Sequence, residues 1–187
     1  MDEPELIRRA RQGDGAAWES LVLVHQEAAF RLAYLLLGDA DLAKDVAQEA
    51  FVRAFQSLHR FDVARLFRPW LLSITANLAR NQRRSLGRYL AALGRLQRAS
   101  PAAAPGLDTK VAQRLEAQEL WQAVRRLDHA EQQVIYLRFF LELPVAETAD
   151  ALGVAEGTVK SRLHRALSRL RAVIDSDFPS LSEGRLG

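Results

Sequence analysis

Apolar residues recur along this chain at steps of three and four, with no strand-like alternation bounded by turn chemistry. That period belongs to amphipathic helices. Gly13-Asp14 separates a short N-terminal helix from a longer one over about Ala16 to Leu37. Asp14 stands where a helix N-cap is needed, and Gly38 where a C-cap is. Asp39 or Asp41 opens a third helix, in which Leu42, Val46, Phe51, Phe55 and Leu58 keep helical spacing. A loop is expected over His59 to Leu66. The next helix runs from about Phe67 to Arg84 and continues toward Gln97, with Pro69 in its first turn, where a missing N–H costs little. Ser100 to Gly106, SPAAAPG, has the composition of a linker. Helices resume over about Thr109 to Leu127, then from Asp128 as cap to about Leu141, before Leu143-Pro144 breaks the pattern. The tail beyond Asp175, with Pro179 and Gly184, is expected to fray. The pattern predicts an all-α protein of two small helical domains on a flexible linker. Their bounds fall near 1–86 and 111–175, with the linker over 87–110 and the tail over 176–187.

Within Pro144 to Arg171 two short helical patterns meet at a glycine. Ala149, Gly153 and Val159 stand where a helix-turn-helix needs a small residue, a turn-former able to take positive φ, and a buried branched residue. Such a unit places its second helix in the DNA major groove. The helical period gives that helix a buried stripe of Val159, Leu163, Ala166, Leu167 and Leu170. Thr158, Ser161, His164, Arg165 and Ser168 then face outward, with Lys160 and Arg162 on the flanks. Arg can fork onto a guanine edge, while Lys and Ser more often contact phosphate. A basic helix face by itself is commonly just a solvated surface. The small-Gly-Val spacing and the preceding short helix are what favour duplex DNA.

A length of 187 residues allows one domain or two small ones, and 49% apolar content suffices for a packed core. Cysteine is absent, which excludes a disulfide framework and thiolate metal sites. The charged start MDEPELIRRARQGD lacks the apolar run of a secretory signal. LAYLLLG, Leu32 to Gly38, is too short to span a bilayer, so no membrane insertion is expected. Net charge is only +3, so a nucleic-acid role must rest on local clustering. No acidic residue occurs between Asp62 and Asp108, while Arg65, Arg68, Arg80, Arg83, Arg84, Arg88, Arg95 and Arg98 do. Such an interval suits a phosphate track. An acidic patch of Asp39, Asp41, Asp45 and Glu49 precedes it.

Catalytic signals are missing. His25, His59, His129 and His164 are far apart, lack metal-motif spacing and are expected at surfaces or boundaries. Gly13-Asp14-Gly15 lacks both the third glycine and the strand of a dinucleotide-binding turn. GKS/GKT, HExxH and GxSxG do not occur. No catalytic residue, metal or cofactor is expected, and the chain does not read as an enzyme.

DLAKDVAQEAFVRAFQSLHRF followed by FRPWLLSITANLARNQRR resembles region 2 of bacterial RNA polymerase sigma factors. The helix-turn-helix with GTVKSRLHRAL is similar to their region 4. Length leaves no room for the additional domains of primary sigma factors, so the resemblance is to the extracytoplasmic-function (ECF) group of the sigma-70 family. It covers about Leu6 to Ile174.

The resemblance implies a cytoplasmic, non-catalytic subunit that gives polymerase its promoter choice. It implies −35 recognition by Thr158, Lys160, Ser161, Arg162, His164, Arg165 and Arg169. It implies −10 recognition by Phe61, Asp62, Arg65, Phe67, Asn77, Arg80, Arg83 and Arg84, with an unstacked base entering a pocket at the loop. Asp41, Asp45, Gln48, Glu49 and Arg53 correspond to the surface that docks on the β′ clamp helices; region 4 would touch the β flap. An anti-sigma factor is a further implied partner. Trp70 adjoins the loop as a stacking wedge would, yet its spacing with Leu71, Ile74 and Leu78 favours the core. Trp18 and Trp121 also read as core. Two departures stand out: the loop between Phe61 and Phe67, DVARL, is bulkier than the family's usual small polar loop, and the linker is basic. The other functional reading is a stand-alone helix-turn-helix regulator whose N-terminal half binds a signal or a protein.

Overall fold

The computed structural model describes residues 2–94, 111–178 and 181. The expected linker Ser100 to Gly106, Arg95 and Arg98, the helix start at Thr109, and Pro179 and Gly184 lie outside them. All regular structure among the described residues is helical: α1 (Glu3–Arg11), α2 (Gly15–Leu37), α3 (Ala40–Ser57), α4 (Phe67–Gly94), α5 (Val111–Arg125), α6 (His129–Ile135), α7 (Val145–Leu152) and α8 (Glu156–Asp177). The chain divides into two compact units, α1–α4 forming the body of one and α5, α6 and α8 that of the other.

In the first unit α2 packs on α1, α3 and α4, and α3 also packs on α4. Asp14 caps α2 by accepting from the amides of Ala16 and Ala17 at 3.0 and 3.1 Å, and it pairs with the Arg9 guanidinium. Both contacts hold its carboxyl below the usual carboxylate range, the Arg9 bond foremost. Gly38 ends α2 at φ 74, the left-handed conformation that costs glycine least. Asp39, rather than Asp41, caps α3 through the Leu42 amide. Ala43, Ala47, Ala50 and Ala54 let α3 approach its neighbours closely, and all four are buried.

Several expectations need correction. His25 is buried, not a boundary residue, because its Nε2 meets a Glu3 oxygen at 2.7 Å. Phe55 keeps the helical spacing but is exposed, its ring tilted against Trp18 at 5.0 Å between ring centroids. All of α2, and not Leu32 to Gly38 alone, decides its membrane-spanning character. By length and composition the whole helix could cross a bilayer, although Leu21, Ala29, Leu32, Ala33 and Leu36 are buried in the bundle here. Trp18, Trp70 and Trp121 are half-buried rather than fully in the core.

In the second unit Asp128 and Glu131 form a reciprocal capping box at the start of α6. Gln132 donates to the Arg125 and Leu127 carbonyls, closing the end of α5. The expected continuation to Leu141 exists, but Tyr136–Phe140 winds as a π-turn, in which the Leu141 amide reaches the Tyr136 carbonyl at 3.0 Å. Glu142 follows at φ 58, and the Arg138 guanidinium donates to the Leu143 carbonyl. The chain thus reverses where Leu143-Pro144 predicted a break.

Candidate nucleic-acid interface

The α7–α8 corner is closed by backbone hydrogen bonds. The Gly153 amide reaches the Asp150 carbonyl at 3.3 Å, and the Val154 amide reaches the Ala149 carbonyl at 3.0 Å. This is the paired bonding of a Schellman turn, which needs a left-handed residue at Gly153, here at φ 64. Nothing lies within 4 Å of a Cβ placed there, so conformation rather than space selects glycine. Thr148 is fully buried and donates its hydroxyl to the Pro144 carbonyl at 2.9 Å, fixing the first turn of α7. Ala149, Val159 and Ala166 are buried, joining α7 and α8 to the core.

On α8, Lys160, Ser161, His164, Arg165 and Ser168 are exposed, and Thr158 and Arg162 are half-buried. Arg165 leans back toward the Ser161 carbonyl at 3.4 Å. Among the described residues neither Lys160 nor Arg165 pairs with a carboxylate, so their charge faces solvent. Leu167 is exposed, contrary to expectation. At 3.6 residues per turn it lies about 80° round from Val159, past the edge of the packed stripe. Arg169, also expected at the −35 contact, is exposed but has acidic neighbours. Its guanidinium lies 3.4 Å from Glu131 and 3.8 Å from Asp128, so it braces the α6 cap.

In the first unit a short 3-10 turn, Leu58–Arg60, leads into the loop Phe61 to Leu66. Phe61 and Phe67 were expected to meet DNA, but both are buried. They pack edge to face at 5.8 Å, with Trp70 4.6 Å from Phe61 and 5.5 Å from Phe67. These rings form the floor under the loop. Asp62 is committed to the loop's own fold: it accepts from the Ala64 amide at 2.9 Å, and its carbonyl accepts from Arg65 at 3.0 Å. Asp62, Ala64, Arg65 and Leu66 are the exposed residues of the loop. Beyond it, Asn77, Arg80, Arg84 and Arg88 recur at helical spacing along one side of α4. Asn77 is exposed and accepts from Arg80 at 2.7 Å; Arg83 is exposed on a neighbouring row.

On α3, Asp41, Asp45, Gln48 and Glu49 are all exposed, and Arg53 bonds Glu49 at 2.7 Å. Sequence reasoning missed what lies beside them. A groove of about 490 Å³ between α2 and α3 is lined by Val22, Phe30, Lys44, Gln48 and Phe51 among others. Leu23, Val24, Phe30 and Val52 are exposed in the same unit. The available signal was an excess of apolar positions on α2 beyond one helical stripe. Among the described residues no group of His, Asp and Glu is arranged to hold a metal ion.

The α7–α8 corner with its exposed basic face is a helix-turn-helix of the DNA-binding kind, and a second cluster of arginines lies beside the ring-floored loop of the first unit. Residues 21–89 match sigma-70 region 2 and residues 117–170 match sigma-70 region 4. The sequence is 34% identical over 174 residues to the RNA polymerase sigma factor NccH of Alcaligenes xylosoxydans xylosoxydans, covering 91% of this chain and 94% of that protein. It is 32% identical to the ECF RNA polymerase sigma factor SigW of Bacillus subtilis, covering 88% and 92%. The solved structure of CnrH in complex with the cytosolic domain of CnrY aligns with a TM-score of 0.70 at 28% identity, covering 94% of this chain and 98% of that one. The chain belongs to the sigma-70 family of RNA polymerase sigma factors, in its ECF group. Its function is promoter-directed initiation of transcription.

Proposed function

We propose that this chain acts in the cytoplasm as a dissociable, non-catalytic subunit of RNA polymerase, with a division of labour between its two units. The acidic row on α3 and the apolar groove beside it dock on the β′ clamp helices. The loop Phe61 to Leu66 and the α4 stripe hold melted −10 DNA. An unstacked base is taken up over the ring floor; Asn77 offers donor and acceptor to a base edge, and Arg80, Arg83 and Arg84 hold phosphates. Unstacking costs roughly a few kcal/mol, which contacts to the displaced strand must offset. The α8 face of Lys160, Ser161, Arg162, His164 and Arg165 reads the −35 duplex, and the second unit also meets the β flap.

The observation that carries this reading is that matches to region 2 and region 4 stand in family order on one chain, with exposed arginines along α4 and an exposed basic face on α8. The CnrH structure contains the cytosolic domain of CnrY. By that likeness an anti-sigma factor is a further partner of this chain. The stand-alone regulator reading gives no role to the region 2 match over residues 21–89. The test is reconstitution: core polymerase is mixed with the purified chain and with promoter fragments selected from a random library. Initiation that requires the chain supports the proposal, and its absence at every fragment contradicts it.

A further inference from the structure

Helix α1 has no role in either interface, yet two of its side chains reach the two ends of the −10 loop. At the entrance, Arg11 donates its Nε–H to the Leu58 carbonyl at 2.9 Å. That oxygen also accepts from the Phe61 amide at 3.1 Å, the bond that turns the chain into the loop. At the exit, a Glu3 carboxylate oxygen accepts from the Phe67 amide at 3.4 Å. Phe67 is the first residue of α4, and Leu66 before it has no side-chain acceptor to serve as a cap. First-turn amides lack partners within the helix, and a carboxylate suits the positive end of the helix dipole. Glu3 thus caps α4 from another helix.

Glu3 is held in turn. Its second oxygen meets His25 Nε2 at 2.7 Å, and the His25 ring lies 5.2 Å from Phe67. With its two oxygens on different partners, the carboxylate has little freedom to rotate. Leu6, Ile7 and Ala10, on the same side of α1 as Glu3 and Arg11, are buried, so the helix offers a fixed base. Both ends of the loop are therefore tied to charged side chains of one helix.

We propose that Glu3 and Arg11 are positioning residues for −10 recognition. They brace the loop Phe61 to Leu66 at both ends and set how its exposed residues and ring floor meet an unstacked base, without touching DNA themselves. The proposal rests on this loop being the −10 reader.

The experiment uses holoenzyme and fork-junction fragments randomised over the single-stranded −10 segment, sequenced before and after capture. Glu3→Gln and Arg11→Gln are compared with wild type, with Ile7→Val as a control that loosens α1 packing but keeps both ties, and with Arg65→Ala in the loop. The expected result is that base preference at the most selective position falls roughly tenfold in both α1 variants, about the size of one misplaced base contact. Core binding and −35 duplex binding should stay at wild-type levels. Wild-type preference in Glu3→Gln and Arg11→Gln, with preference altered in Arg65→Ala, overturns the brace and leaves the loop as reader. An equal fall in Ile7→Val also overturns it, since loss of stability would then suffice. Unchanged preference in all variants, Arg65→Ala included, overturns both the loop assignment and the brace.

Discussion

Arg165 and Arg169 are four residues apart on one helix and carry the same charge, but their surroundings separate them. Among the described residues Arg165 has no carboxylate partner, whereas Arg169 faces Glu131 and Asp128. Arg165→Ala is expected to weaken binding to −35 duplex by ~1–3 kcal/mol if its fork reads a base edge. A gel-shift series over base-substituted duplexes checks this, and unchanged discrimination would reduce it to a backbone contact. Arg169→Ala should leave that discrimination in place and instead lower the thermal midpoint slightly. More than half of the Arg169 side chain is exposed, so the pair is worth roughly 0.2–1 kcal/mol. Gly153→Ala should destabilise the α7–α8 corner by about 1–2 kcal/mol, the cost of a left-handed L-residue. The open space at that Cβ leaves no steric term to add. Denaturant titration of the full chain measures it.

Among the elements, α1 couples stability to pH. The His25 hydrogen bond holds the Glu3 carboxyl below its ordinary value of 4.5. A carboxylate whose folded value is depressed stabilises the fold above its unfolded value, and that stabilisation is lost as pH falls through the folded one. Acidification below about 4.5 should therefore lower the thermal midpoint more in wild type than in Glu3→Gln. Helix boundaries were readable in sequence wherever a residue type acts locally: Asp14, Asp39 and Asp128 as N-caps, and Gly38 and Gly153 as left-handed ends. Features set by tertiary packing were not. Nothing in the alternation of residues tells that Phe61 and Phe67 turn inward onto Trp70, that His25 is buried by a partner far along the chain, or that Tyr136–Phe140 loosens into a π-turn. The outward turn of Leu167 was missed because the stripe that packs on α5 and α6 is narrower than the run of leucines. The basic faces of α4 and α8 were legible because charge patterning needs no packing to be seen. The apolar groove beside α3 was not, since core and surface apolar residues look alike in sequence.

At the scale of the whole molecule, the surfaces proposed to hold −10 and −35 DNA lie in separate units, so each is expected to be disabled without the other. Asn77→Ala should impair capture of single-stranded −10 DNA by holoenzyme and spare both −35 duplex binding and association with core polymerase. Loss of core binding as well would point to a damaged first unit. Charge reversal on α3, Asp45→Lys with Glu49→Lys, should do the opposite, weakening core association while isolated −35 duplex binding persists. The measurement that bears most directly on this division is co-elution with core polymerase followed by run-off transcription on selected promoters. The wild-type chain should co-elute and support initiation, the α3 double variant should do neither, and Arg165→Ala should co-elute but initiate poorly. A wild-type chain that binds −35 duplex yet neither co-elutes nor initiates would contradict the assignment.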